Sequence, residues 1–287
     1  TGPADGQGGT ASVADVRCPL CRSQQVQPID RIDVDDLVRL WDRGIGPGAA
    51  AEFGPLREIN YLTCELCGLR FFHPPVAGSA AFYERLIERA TTYYMEEKAE
   101  YDFAREFITP GMKVLEVGAG RGAFAARLEG VDYLGLELTA KAVSLAEAAG
   151  VRVIQRLLDA HAPEHQETYD VVCSFQVAEH VADTHGFISK CVGCLKPDGL
   201  LILSVPNADA YPALLPNPTR NLPPHHLSHW PEATLRNLAH VFPLDLVALE
   251  RESLSVVHQR DYARVVCLLV LNDLLGRRER LVDFARR

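Results

Sequence analysis

The chain has 287 residues, enough to bury a full core and leave room for one large unit plus a small module. Its 38 acidic residues outnumber 29 basic ones, and the net charge of −9 repels polyanions, which disfavours nucleic acid as a partner. No apolar run of roughly eighteen residues and no signal-peptide pattern occurs, which predicts a cytoplasmic protein without membrane contact.

Residues 1–14 are rich in glycine and small residues, lack an initiating methionine, and are expected to form a disordered leader. A zinc-binding module is expected over 15–77, because Cys18-Pro-Leu-Cys21 and Cys64-Glu-Leu-Cys67 are two C-x-x-C pairs. Each knuckle can present two thiolates to one metal, and Cys18, Cys21, Cys64 and Cys67 together supply the four soft ligands of a closed, structural zinc site. Four buried thiols or two local dithiols are the alternative. A thioredoxin-type redox role is set aside, since neither pair opens a βαβ unit. Between the pairs, Val34 to Asp42 has the apolar spacing of an amphipathic helix. The module's own apolar content reads as thin, so without zinc it is expected to fall apart. Cys191 and Cys194 share one face of a predicted helix and read as packing, and Cys173 and Cys267 read as small core residues.

A helical lid or linker is expected over 78–112, where Phe82, Leu86, Tyr94, Tyr101 and Phe107 recur at roughly helical spacing. The following unit, 113–270, has a βαβ rhythm. Strands are predicted at 113–117, 131–138, 151–154, 169–175 and 200–206, alternating with helices near 121–129, 140–149 and 183–195. That is an α/β chain with a doubly wound sheet. A helix over 231–241 and strands near 244–250 and 254–268 would complete it, followed by a basic surface helix over 271–287 that reads as a solvated face or a dimer contact.

Ligands of such sheets bind at the carboxyl ends of the strands, and the candidate site residues fall there. Val114 to Val117 is a buried strand, and Gly118, Ala119, Gly120 and Gly122 form a turn that lets the backbone approach a ligand closely. Gly118, Gly120 and Ala123 also fit the dinucleotide fingerprint, but Glu116 at the strand end is an odd neighbour for a pyrophosphate. Glu137 closes the next strand, before Leu138, where a carboxylate can take both hydroxyls of a ribose. Tyr169 to Val181 is a strand that runs into a loop and the Glu179-His180 pair.

Taken together, E-V-G-A-G-R-G, the Glu137 strand end, Y-D-V-V-C-S-F-Q-V-A-E-H-V and L-L-I-L-S-V-P-N after Lys196-Pro-Asp-Gly199 resemble a class I S-adenosylmethionine-dependent methyltransferase over roughly residues 80–250. The resemblance implies a Rossmann-like fold with S-adenosylmethionine as cofactor. It places Glu116, Gly118, Ala119, Gly120 and Gly122 under the methionine part and Glu137 and Leu138 at the ribose. Leu157, Leu158 and Asp159 would pass the adenine, although the usual polar pattern is missing there, and Phe175 and Gln176 would line the methyl-transfer site.

Leu222-Pro-Pro-His-His-Leu-Ser-His-Trp-Pro231 is similar to the acceptor-side segment of small-molecule members of that class. His225 and His226 follow a rigid proline pair and are candidate bases, with His180 a further candidate; the loop histidines, His229 among them, could equally cap a helix or hold the loop. The segment Pro55 to Leu69 resembles the zinc module of bacterial sugar methyltransferases, which moves the expected acceptor toward a carbohydrate or secondary metabolite. Sugar C-methyltransferases carry a further C-terminal domain that this chain is too short to hold, which counts against C-methylation and a nucleotide-sugar substrate; oxygen is the atom expected to be methylated. A ribosomal RNA base methyltransferase that grips RNA with its zinc module is an alternative. Only Arg17, Arg22, Arg31, Arg39, Arg43 and Arg57 would serve it, against several acids. The other alternative is a zinc-ribbon interaction protein with an inactive transferase core. Oligomeric state is not legible.

Overall fold

A computed structural model describes residues 15–89, 98–210, 217–252, 259–275 and 281–282. The expected leader, Tyr94 and most of the basic tail lie outside the described residues. Two sheets organise the chain. The first uses β1 (Val26–Asp33), β2 (Glu58–Cys64) and β3 (Arg70–His73), with α1 (Val34–Ile45) and α2 (Ala50–Phe53) between β1 and β2. α3 (Ala80–Arg89) and α4 (Ala99–Arg105) lead to the second sheet. That sheet contains β4 (Lys113–Val117), β5 (Asp132–Glu137), β6 (Val153–Gln155), β7 (Tyr169–Phe175) and β8 (Leu195–Ser204). Helices α5 (Ala140–Ala148), α6 (Leu158–His161) and α7 (Thr184–Cys194) connect its strands, and β9 (Ser228–His229), α8 (Glu232–Val241) and α9 (Gln259–Leu274) follow.

The five-stranded sheet is parallel throughout, in the order β6-β5-β4-β7-β8. The strand order reverses beside β4, which opens a crevice outside the carboxyl ends of β4 and β7. Buried parallel strands read as unbroken apolar runs, and Val114, Leu115, Val171 and Val172 are fully buried accordingly. The expected α/β sheet is therefore present, with corrections around it. Residues 121–129 form no α-helix: Gly118, Gly120 and Gly122 have φ of 81°, 55° and 77°, so a helix cannot begin before Ala123, and only a 3-10 turn at Ala125–Arg127 follows. Residues 244–250 form no strand. Of the strand expected near 254–268, residues 254–258 lie outside the described residues and 259–268 belong to helix α9, on which Cys267 is exposed rather than buried.

The other sheet is antiparallel, in the order β1-β2-β3-β9. β1 is the edge, where Pro28 sits beside a register shift that leaves its missing N–H harmless. Its far edge is β9, drawn from the loop after β8, with Arg70 opposite His229 and Phe71 opposite Ser228. Asp33 caps α1 by accepting a 2.8 Å bond from the Asp35 amide. α1 then buries Leu37, Leu40, Trp41 and Ile45 in one cluster with Phe53, Ile59, Phe72 and Phe82. The apolar content of this region is substantial, not thin, because the long insertion between the cysteine pairs supplies it. Trp41 also donates a 2.7 Å bond to the Pro223 carbonyl, which ties the core to the histidine loop.

Candidate active site

The amides of Gly118 and Ala119 both donate to the Leu136 carbonyl, at 2.9 and 3.0 Å, so the glycine turn folds onto the end of β5. A Cβ on Gly118 would lie 2.4 Å from a methyl carbon of Val177, and one on Gly122 would lie 2.6 Å from a methyl carbon of Val151. Positive φ and close approach thus both require glycine there. Glu137 joins the turn to β5. Its Oε2 accepts from the Gly120 amide at 2.9 Å, and its Oε1 accepts from the Leu138 amide, the Thr139 amide and the Thr139 hydroxyl at 2.8 to 3.0 Å. Leu138 is exposed beside it.

Glu116 lies beneath the turn, fully buried, and accepts a hydrogen bond from the Tyr133 hydroxyl. Burial raises its pKa to about 8, against the pull of Tyr133. At the end of β7, Phe175 is buried in an aromatic cluster, with Tyr101 and Phe124 ring centres 5.0 and 4.8 Å away. Gln176 has a φ of 60°, a conformation uncommon for a residue with a side chain. Its amide donates to the Ser204 carbonyl at 2.8 Å and its side chain to the Ser204 hydroxyl at 2.7 Å, while that hydroxyl donates to Glu100 at 3.3 Å. Leu158 is buried, Leu157 is exposed, and Asp159 pairs with Lys190 at 2.7 Å.

The structure brings His180, His225 and His226 together, with one ring nitrogen of each within 4.8 Å of the others. The His225 and His226 rings stack 4.6 Å apart, and His180 stands edge-on to both, at 4.6 and 4.8 Å. His180 Nδ1 donates to the His225 carbonyl at 2.6 Å, and His225 Nδ1 donates to the Arg220 carbonyl at 2.8 Å. Burial, reinforced by His180, holds His225 down at about 3 and His226 well below the usual imidazole range; burial also lowers His180. Tyr83 closes one side, its ring centre 5.9 Å from that of His225. Beside them Glu179 is buried, with Oε1 3.8 Å from His180 Nε2 and no hydrogen-bond partner for Oε2. Burial raises its pKa to about 8.

His229 does something else. Its Nε2 donates to the Asn221 carbonyl at 2.5 Å and its Nδ1 accepts from the Tyr61 hydroxyl at 2.7 Å, which locks the loop to β2. Glu100, Ser204, Tyr61, Tyr83 and Tyr133 escaped the sequence reading, because each reaches the site through tertiary contacts that no local motif marks.

The four knuckle cysteines also converge. Cys18 and Cys67 sulfurs are 3.6 Å apart, Cys21 and Cys64 sulfurs 3.4 Å apart, and all four lie within 4.8 Å of one another. Each knuckle turns through a left-handed residue directly after its second cysteine, Arg22 at φ 62° and Gly68 at φ 81°. Cys18 is held at about 6 by the Cys67 thiol, which is itself pushed up, and burial raises Cys21 to about 12. Four cysteine sulfurs converging on one point are the donor set a tetrahedral zinc ion takes once its binding has displaced their protons, so these residues fit that metal. Cys191 and Cys194 are fully buried on α7, and Cys173 is buried in β7, as packing residues.

The family profile described as "Methyltransferase domain" matches residues 86–249. The chain is 28% identical over 172 residues to the ubiquinone biosynthesis O-methyltransferase of Pectobacterium carotovorum, covering 52% of this chain and 69% of that protein. It is 34% identical over 125 residues to the ubiquinone biosynthesis O-methyltransferase of Pectobacterium atrosepticum, covering 41% of this chain and 49% of that protein. The chain thus spans about half to two thirds of the length of these curated relatives. Among solved structures, a SAM-dependent methyltransferase from Archaeoglobus fulgidus aligns with 66% of this chain and 92% of its own, at 17% identity and a TM-score of 0.47.

Tyr61→Phe leaves the buried His229 nitrogen without its donor, and the expected loss of unfolding free energy is about 1–3 kcal/mol. Denaturant titration of both proteins measures it, and equal midpoints and slopes would show that Tyr61 does not hold this loop.

Proposed function

This chain belongs to the methyltransferase-domain family, and on that premise we propose that it transfers the methyl group of S-adenosylmethionine to an oxygen of a small-molecule acceptor. The observation that carries the reading lies at the end of β7. There Val177 touches the glycine turn while His180 joins the histidine cluster, so the turn and the cluster flank one strand end. In this reading the Gly118 to Gly122 turn and Glu116 receive the methionine part, Glu137 and Leu138 the ribose, Leu158 and Asp159 the adenine side, and Phe175 and Gln176 the sulfonium. The acceptor oxygen attacks the methyl carbon, the C–O bond forms as the S–C bond breaks, and its electron pair stays on sulfur to leave S-adenosylhomocysteine. The hydroxyl proton passes by way of His180, His225 or His226 to solvent water. Alignment supplies much of the rate in such a transfer.

Oxygen is supported by the O-methyltransferases among the relatives. A sugar or secondary metabolite as acceptor is supported by the likeness of the Pro55–Leu69 segment to sugar methyltransferase modules. The net charge of −9 weighs against RNA. Cys18, Cys21, Cys64 and Cys67 hold one structural zinc ion, and a cytoplasmic location completes the reading. Among the described residues no helix is long and apolar enough to cross a membrane.

Calorimetry should show S-adenosylmethionine binding, weakened by Glu137→Ala by about 1.5–3 kcal/mol, or roughly 10- to 150-fold. Binding of NAD with no heat from S-adenosylmethionine would end the reading. Metal analysis should find about one equivalent of zinc in protein prepared without chelator, lost on Cys64→Ser. Because Trp41 and its neighbours form their own apolar core while Trp230 packs in the cluster of the cysteines, that variant should loosen the two knuckles and the surroundings of Trp230 and keep those of Trp41. Unchanged zinc content in Cys64→Ser would refute the ligand assignment. Finally, His225→Ala and His226→Ala should each lower turnover about 10²- to 10⁴-fold with cofactor affinity nearly intact. Near-full turnover in both would make these histidines scaffold.

A further inference from the structure

Three imidazoles packed against one another under a loop are an uneconomical way to fill space, since any hydrophobic side chain would lose less on leaving water. Their arrangement is that of a donor set. His180 and His225 each point Nδ1 at a backbone carbonyl, which fixes the proton on that nitrogen and makes Nε2 the lone-pair nitrogen of each ring. This is the outer-shell pattern that orients metal-ligating histidines. His226 brings the third ring, and a ligand nitrogen from each of the three lies within 4.8 Å of the others. A cation with bonds of about 2.1 Å in tetrahedral geometry needs nitrogens about 3.4 Å apart, which requires the His226 ring to turn out of its 18° stack on His225 so that both lone pairs meet at one point. Glu179 adds a second, independent mark: a buried carboxyl group whose Oε2 has no hydrogen-bond partner, directly beside His180 Nε2.

We propose that His180, His225 and His226 form a binding site for a divalent transition-metal ion, distinct from the four-cysteine site, with Glu179 as a neighbouring carboxyl group that the bound cation would ionise and a coordination position left for the acceptor oxygen. Nitrogen donors without thiolate suit zinc, cobalt or nickel ions. Three protein ligands leave a tetrahedral ion one open position, the mark of a working site, whereas four cysteines close theirs. The proposal deepens the methyl-transfer reading and rests on it for the identity of the fourth ligand. A hydroxyl bound to the ion loses its proton to solvent water more readily, so the oxygen meets the methyl carbon as a stronger nucleophile. The imidazoles then act as ligands, and their removal costs turnover because the ion is lost.

The test adds cobalt(II) to the full chain as purified with zinc in its cysteine site, and follows metal content after desalting together with the visible spectrum. About one further equivalent should bind, giving d–d bands without the thiolate charge-transfer absorption that cobalt in the cysteine site would produce. His180→Gln and His226→Gln should each weaken cobalt binding by about tenfold or more while zinc content and S-adenosylmethionine affinity stay as they are. Failure of the unaltered chain to take cobalt overturns the site without reference to any variant, and so does undiminished cobalt binding in both variants. The two readings fail separately: S-adenosylmethionine binding without cobalt uptake removes only the metal site, and cobalt uptake without S-adenosylmethionine binding removes only the transfer reading.

Discussion

The structure depends on how one loop satisfies its buried backbone. Residues 222–230 run between the two sheets, where every unpaired N–H or C=O would cost free energy on the scale of a lost hydrogen bond. They are paired from both sides. The Phe72 amide donates to the Leu227 carbonyl at 3.0 Å, the Leu227 amide donates to the Glu179 carbonyl at 2.7 Å, and the Gly78 amide donates to the Pro224 carbonyl at 2.8 Å. Trp41 takes the Pro223 carbonyl. The loop therefore belongs to the antiparallel sheet as strand β9 and to the parallel sheet through the segment after β7. His225 and His226 lie inside this doubly held stretch, which gives them fixed positions relative to His180 that a surface loop could not provide.

The same principle operates at the glycine turn. Glu137 spends four hydrogen bonds on the turn and on the start of α5, so the first two strands of the parallel sheet are locked at their carboxyl ends. Gln176 in its left-handed conformation is held by Ser204 on the neighbouring strand β8. Strain at a strand end survives only where neighbours over-determine it, and here they do so at the crevice mouth. Glu100 reaches the same hydroxyl, which makes α4 part of the wall.

How much of this was legible follows from which interactions are local. β4 and β7 were read to the residue, since buried parallel strands are continuous apolar runs ended by glycine or polar residues. The glycines, Glu137 and the cysteine pairs declare themselves by spacing. α9 misled, because a short apolar run such as Val265 to Leu271 fits a strand and a buried helix equally well. The missing helix after Gly122 had a signal in plain view: three positive-φ glycines are poor helix starters. Nothing local could announce β9, whose partner β3 lies far off in sequence, nor the meeting of His180 with His225 and His226.

The cysteine cluster and the histidine cluster are mechanically linked. α7 begins shortly after His180, and His185 in its first turn grips the first knuckle, its amide donating to the Pro19 carbonyl at 2.8 Å and its Nδ1 to the Leu20 carbonyl at 2.7 Å. α8 begins after Trp230, and Asn237 donates to the Cys67 carbonyl in the second knuckle at 3.3 Å. Each knuckle thus holds the helix that follows one part of the histidine cluster. Whatever draws the four sulfurs together also fixes α7 relative to α8, and with them His180 relative to His225 and His226. A metal in the cysteine site would take no part in chemistry, yet it would brace the histidine cluster from outside, because His185 ties α7 to the first knuckle and Asn237 ties α8 to the second.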